Sequence, residues 1–144
     1  MNDSIPDRGL LVSHIHDQFW SEEYYEAAQL LRAWKSERGE SWAQEFFTCL
    51  ADLEQLTEPE RDVTRRTNAA RRLIKSRFRK TQQLCSRGFL TEDDLREHLT
   101  MAPRLEMVFL IIEPLERARK TDYKREMFDF YDRLHGNELD RPER

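Results

Sequence analysis

The sequence predicts an all-α fold: a single-domain bundle of about six or seven helices with one long central helix. Only eight of the 144 residues are valine or isoleucine, which favour strands, while apolar residues recur at three- and four-residue spacing. Leucine, isoleucine, valine and phenylalanine make up 23% of the chain, above the fraction of about 20% below which disorder is expected. We therefore expect one helical domain over residues 1–136 and a frayed tail over 137–144.

The first three helices are predicted from periodicity and capping residues. Apolar residues at helical spacing indicate a first helix over residues 7–20. A second helix over 22–35 follows Ser21 and carries acidic residues in its first turn, where the helix dipole favours negative charge. Ser41 and Gln44 have the spacing of a capping box, which predicts the start of a third helix.

The fourth helix is predicted to be the longest and to be the central element of the bundle. Thr57 and Glu60 form a second potential capping box at its start. The helix is expected over residues 59–87. Gly88 then supplies the left-handed residue that commonly ends a helix.

Two shorter helices are expected after the long one. Thr91 with Asp94 predicts the start of a fifth helix that ends near Thr100. Pro103 fits the first turn of a sixth helix, where its missing amide has no cost. Because Pro114 falls inside the same apolar pattern, we expect that helix to kink before the proline.

A final helix is predicted near the C-terminus. Thr121 and Asp122 are the residues expected to begin it, and Gly136 is expected to end it. Its apolar side chains include several aromatic residues. With the sixth helix, it is expected to pack on the long helix.

Positive charge is concentrated in the long helix. Residues 57–88 carry ten basic and three acidic side chains, a net charge of +7, whereas residues 1–56 carry four basic and eleven acidic ones, a net charge of −7. A helical wheel places five basic residues opposite the apolar side of the helix. This predicted basic stripe consists of Arg61, Arg65, Arg72, Lys75 and Arg79.

Two interpretations of the predicted basic stripe remain open. In the first, it is a solvated helix face that faces the acidic N-terminal helices of the same chain. In the second, it is a surface that binds an acidic protein partner or phosphates. Arg77 and, less centrally, Arg66 fall on the apolar side of the same wheel. Because an unpaired buried guanidinium is costly, we expect each of them to have a carboxylate partner.

Catalytic and cofactor motifs are not found. The sequence has no phosphate-binding glycine loop, no dinucleotide fingerprint and no spacing typical of metal ligands, and Cys49 and Cys85 do not form a disulfide framework. We therefore expect no catalytic residues, no metal and no cofactor, and a protein that is not an enzyme. Arg8 and His14 have a spacing that resembles one in helical ribonucleases, which keeps a ribonuclease as a remote alternative.

Location and assembly are also predicted. The N-terminus lacks the basic and apolar regions of a secretory signal, and the longest apolar run, 107–112, has six residues against about 20 for a membrane helix. We expect a cytoplasmic protein without membrane contact. Because 15 aromatic residues accompany few other apolar ones, some aromatic side chains are expected outside the core, and we expect a two-fold homodimer.

Three segments resemble an uncharacterised bacterial all-helical family of unknown function. They are the run from Arg87 to Leu95, with glycine followed by Phe-Leu and acidic residues, the run from Ile111 to Arg119, and the run from Phe128 to Leu134. The similarity covers about residues 45–135. It implies an all-helical bundle of bacterial origin and supplies no catalytic residues.

The function favoured by the sequence is a cytoplasmic protein-interaction module, with a regulatory role, that acts through helix surfaces. The alternative is a nucleic-acid-binding protein that uses the predicted basic stripe. Nucleic acid is the less favoured partner for two reasons. The net charge of the chain is −4, and no aromatic residue lies among the basic side chains of the stripe, where it could stack on a nucleobase.

Overall fold

The computed structural model describes residues 7–98 and 102–136, which are helical apart from short turns and include no strand. The all-α prediction is confirmed, and the predicted long helix is present. The frayed tail predicted over 137–144 and the end of the fifth helix near Thr100 lie outside the described residues.

In chain order the elements are α1 (Arg8–Phe19), α2 (Glu22–Arg38), a 3-10 turn (Gly39–Ser41), α3 (Trp42–Ala51), a second 3-10 turn (Leu53–Gln55), α4 (Glu58–Ser86), α5 (Glu92–His98), α6 (Ala102–Met107), a π-helical segment (Val108–Ile112), α7 (Glu113–Arg119) and α8 (Glu126–His135).

Two of the three predicted caps form. The hydroxyl of Thr57 accepts a hydrogen bond from the Glu60 amide at 3.4 Å. Thr91 and Asp94 cap each other's amides at 2.9 and 3.1 Å. α3 begins directly after Ser41, as predicted, but the capping bond is absent, because Ser41 ends a 3-10 turn and lacks the extended backbone that this bond needs. Its hydroxyl donates to the side chain of Glu45 instead.

The last helix begins later than predicted. α8 starts at Glu126, and the residues from Thr121 to Arg125 form a turn and an extended connection. Tyr123 lies in this connection, and its hydroxyl donates to Glu113 Oε2 at 3.0 Å. This bond ties the connection back to α7. Gly136 ends α8 with a φ of 74°, the left-handed conformation that was predicted.

The core is built on one seam of α4. Six buried positions follow this seam at alternating three- and four-residue spacing, and Ala70 is buried beside them. They are Thr64, Thr67, Arg71, Ile74, Phe78 and Thr81, of which all but Ile74 and Phe78 are polar. The Phe78 ring is central, with its centroid 4.9 Å from those of Phe19 in α1 and Tyr131 in α8. α2 packs along α4, and α3 packs on both α4 and α7.

The helix that contains Pro114 does not stop at the proline. Residues 102–119 form one helical run, and its backbone widens to a π-helix over Val108–Ile112, where the Glu113 amide bonds to the Val108 carbonyl, five residues back. The irregularity lies where a kink was expected, and it takes the form of a change in hydrogen-bond register. In a regular helix the Leu110 carbonyl would accept from residue 114, but proline has no amide. Lys35 Nζ donates to that carbonyl at 3.2 Å.

Arg77 has the carboxylate partner that the wheel predicted. Its guanidinium forms an ion pair with Glu23 and also donates to the Gln18 carbonyl at 2.6 Å and the Ser21 hydroxyl at 3.0 Å. These bonds connect the middle of α4 to the corner between α1 and α2. The expectation that Arg77 is paired is therefore confirmed. The placement of Arg66 on the apolar side is wrong, because its side chain is 61% exposed, and its carboxylate partner, Asp62, lies 3.9 Å away on the surface of the same helix.

Most aromatic side chains lie inside the protein. Ten of the 15 are buried, and the exposed ones are Trp20, Tyr25 and Phe89. The homodimer stays a prediction, and it depends on these three rings and the exposed Leu10 rather than on a large aromatic surface.

Replacing Arg77 by alanine is expected to lower the free energy of unfolding by about 2 kcal/mol, because hydrogen bonds of a charged group at a half-buried corner are lost. Replacing Glu23 by glutamine is expected to cost less than about 1 kcal/mol, since that carboxylate is largely exposed. Urea denaturation of both variants measures the difference. Equal effects of the two substitutions would show that the surface ion pair, and not the bonds to the corner, is what stabilises this contact.

Candidate functional site

A cleft rich in positive charge lies beside α4 and the C-terminal turn of α7. We call it the basic groove, and it has an inner and an outer part. The inner part has a volume of about 380 Å³ and is lined by Asn68, Arg71, Arg72, Lys75, Ser76, Arg79 and Arg119. The outer part, of about 550 Å³, shares Lys75, Arg79 and Arg119 with it and adds Gln82, Gln83, Ser86, Glu116, Lys120, Asp122, Tyr123, Lys124, Glu126, Met127 and Phe128.

Helical spacing places these side chains together. Asn68, Arg72, Lys75 and Arg79 are separated by four, three and four residues, so they follow one face of α4 over three turns. Arg119 comes from the opposite wall, one turn after Glu116 in α7. Two helices far apart in sequence therefore supply the cations of the groove.

Glu116 is the shared counter-ion of the basic groove. Its side chain is only 8% exposed, and its Oε1 lies 2.5 Å from Lys75 Nζ and 3.7 Å from Arg71 Nη1. Its Oε2 lies 3.4 Å from Arg119 Nη2. One carboxylate thus partners three cations, which leaves a surplus of positive charge in the groove.

Burial acts on two of these cations, Arg71 and Lys75. Desolvation lowers the pKa of Arg71 and that of Lys75, and in both cases the nearby Glu116 carboxylate acts in the opposite direction. The guanidinium of Arg71 is further fixed by two hydrogen bonds to Asn68 Oδ1, at 3.2 Å from Nε and 3.1 Å from Nη2. The inner part of the groove therefore has rigid, poorly hydrated positive charges at its base.

The five residues of the predicted basic stripe do not act as one surface. Arg72, Lys75 and Arg79 line the groove, and Arg72 and Arg79 are exposed. Arg61 is directed elsewhere, since its guanidinium donates to two backbone carbonyls at 3.0 Å each, those of Leu53 and Leu56. Arg65 is exposed outside the lining of the groove.

Arg71 and Arg119 were not predicted from the sequence. The wheel placed Arg77 on the apolar side of α4 but did not assign Arg71 to it, although the spacing of Arg71 from Thr67 and Ile74 matches the seam. That three-and-four spacing was the available signal. Arg119 offered none, because its position beside α4 depends on how α7 packs.

The remaining candidate residues are on α1. Arg8 and His14, the pair that resembles a ribonuclease spacing, are both exposed, and a separation of six residues places them about 120° apart around the helix. His14 Nε2 lies 3.0 Å from the side-chain nitrogen of Gln18. The two residues thus point to different sides of α1.

The part of the chain that the structure describes contains neither a candidate metal site nor a candidate membrane span. No group of three or more histidine, cysteine, aspartate or glutamate side chains in residues 7–98 and 102–136 is arranged to hold a metal ion. Within the same residues, none of the helices combines the length and the apolar character needed to cross a membrane.

Comparison with known proteins found no family model that matches the chain, and no curated protein or solved structure with significant similarity. The resemblance to a bacterial helical family therefore stays a prediction.

Replacing Glu116 by glutamine is expected to lower the free energy of unfolding by about 3 kcal/mol at pH 7, because Arg71 and Lys75 would stay charged without their shared carboxylate. Guanidinium chloride or urea denaturation measures this loss. Glu126→Gln, which removes an exposed carboxylate of the same groove, is the control and is expected to change stability by less than about 0.5 kcal/mol.

The loss caused by Glu116→Gln should shrink as the pH rises toward 10.5. Without the carboxylate, desolvation lowers the pKa of Lys75 further below its usual value near 10.5. In that window the unfolded chain holds a proton that the folded protein has released, so the stability of the variant increases with pH. A loss of stability that is constant from pH 7 to 10 would show that it does not come from the buried charge of Lys75.

Proposed function

We propose that the protein is a cytoplasmic interaction module, without catalytic activity of its own, that binds an acidic segment of a partner protein in the basic groove. The observation that supports this most is the charge of the inner part, where five cationic side chains and no acidic one form the lining. Three of these cations, Arg72, Arg79 and Arg119, are exposed and accessible to a partner.

The dimensions of the groove suit an extended peptide. Along α4 it runs from Asn68 to Ser86, which is about 27 Å at 1.5 Å per residue. An extended chain covers that distance with about eight residues. Gln82, Gln83 and Ser86 in the outer part could bond to the backbone or polar side chains of such a segment.

A protein segment fits the groove better than a nucleic acid does. The aromatic rings of the outer part are engaged in the protein, since Phe128 is buried and Tyr123 meets it edge-on with centroids 5.7 Å apart. Base stacking needs an accessible ring face. Residues 1–56, with a net charge of −7, would also repel a long polyanion.

The proposal is tested with a fluorescein-labelled peptide of twelve residues rich in aspartate and glutamate. We expect binding with a Kd of about 10 μM at 150 mM salt, measured by fluorescence anisotropy, that weakens as salt is raised. The triple variant Arg72→Glu, Arg79→Glu, Arg119→Glu should weaken it at least about tenfold, because exposed cations of the groove become anions.

Arg66→Glu is the matched control. Arg66 also lies on α4 and its side chain is 61% exposed, but it faces the cleft toward α2. Its replacement should leave peptide affinity unchanged within about twofold. Tighter binding of a twelve-nucleotide RNA than of the peptide, lost in the triple variant, would contradict the proposal and support the nucleic-acid alternative.

A further inference from the structure

We infer that the inner part of the basic groove is a phosphoryl-binding site, so that the acidic segment is recognised when one of its side chains is phosphorylated. This inference rests on the proposed function and specifies its ligand. It concerns the chemistry of the inner part alone, where the cations from α4 and α7 face one another.

The charge of the inner part matches a dianion better than a carboxylate. The five cations of its lining have one buried carboxylate, Glu116, as a counter-ion nearby, which leaves an excess of about four positive charges. A carboxylate side chain would neutralise one of them. A phosphorylated serine or threonine carries about −1.5 to −2 charges at pH 7 and would neutralise nearly twice as much.

Side chains that can donate to a phosphoryl group come from both helices that line the inner part. Arg72 and Arg79 are about 10 Å apart along α4, and Ser76 lies between them on the same lining. Arg119 contributes a guanidinium from the opposite wall. Three phosphoryl oxygens accept several charge-assisted bonds at once, and the planar fork of arginine is the group best suited to donate them.

The base of the inner part is pre-organised. Asn68 Oδ1 accepts two bonds from Arg71, which fixes the plane of that guanidinium and leaves the Asn68 amide group as a donor toward the cleft. Glu116 holds Lys75 and Arg71 from α7. Cations that are already ordered lose little entropy when an anion binds.

The test compares three versions of one acidic twelve-residue peptide, which carry serine, phosphoserine or glutamate at the centre. By fluorescence anisotropy we expect the phosphorylated peptide to bind at least about tenfold more tightly than the serine peptide and about threefold more tightly than the glutamate peptide. Its affinity should also fall between pH 7.5 and 5.5, because the second pKa of the phosphoryl group is about 6, whereas the serine peptide should show no such fall.

Arg72→Gln and Arg119→Gln are expected to remove the preference for phosphoserine, and Arg66→Gln, on the same helix outside the groove, should retain it. Both groove residues are exposed, so these variants should keep the fold, which circular dichroism checks. Inorganic phosphate at 10 mM should displace little of the phosphopeptide. Displacement of most of it would overturn the inference in favour of a site for free phosphate.

Equal affinity for the phosphoserine and glutamate peptides would also overturn the phosphoryl site while leaving the proposed acidic partner intact. If none of the three peptides binds, both the inference and the proposed function are wrong. The two failures can therefore be told apart.

Discussion

The basic groove depends on one buried carboxylate. Glu116 is the point at which α7 meets α4, and its two oxygens contact cations from both helices. Holding Arg71 and Lys75 in this poorly hydrated position without a negative charge nearby would destabilise the fold. At the same time a single carboxylate cannot neutralise three cations. The contact that holds the walls together therefore also leaves them positively charged.

The position of Glu116 follows from the irregular helix before it. The π-helical segment at Val108–Ile112 changes the hydrogen-bond register just ahead of Pro114, so the side chains of α7 are rotated about the helix axis relative to those of an uninterrupted α-helix. Glu113 and Glu116 are then one turn apart, and both are buried. Glu113 is bonded by Tyr123 and lies 3.6 Å from Arg125, while Glu116 faces α4. Because residues three positions apart lie on the same side of a helix, the two acids connect that side of α7 to two different partners, the Tyr123 connection and α4.

Most of the fold could be predicted from the sequence because it depends on local chemistry. The residues that make up the basic groove could not be predicted in this way. Caps, periodicity and glycines located the helices within a few residues, and the cost of an unpaired charge predicted a partner for Arg77. Local rules failed where tertiary contacts decide. Tyr123 was assigned to a helix, but it lies in the connection before α8, where its hydroxyl donates to Glu113. Arg119 lines the groove with residues of α4 that are more than 30 positions away in sequence. Arg71 was not assigned to the buried side although its spacing fits there, and it occupies a core position because Glu116 and Asn68 are its partners.

The bond from Lys35 to the Leu110 carbonyl makes two distant positions interdependent. Pro114 removes an amide from the helix, and an ammonium group from α2 supplies a donor in its place. In a chain with an ordinary residue at 114, a backbone amide could serve that carbonyl, and the lysine would be under weaker constraint. With proline at 114, loss of Lys35 leaves the Leu110 carbonyl without this donor. The order in which substitutions at 35 and 114 arise during divergence thus determines which of them natural selection tolerates.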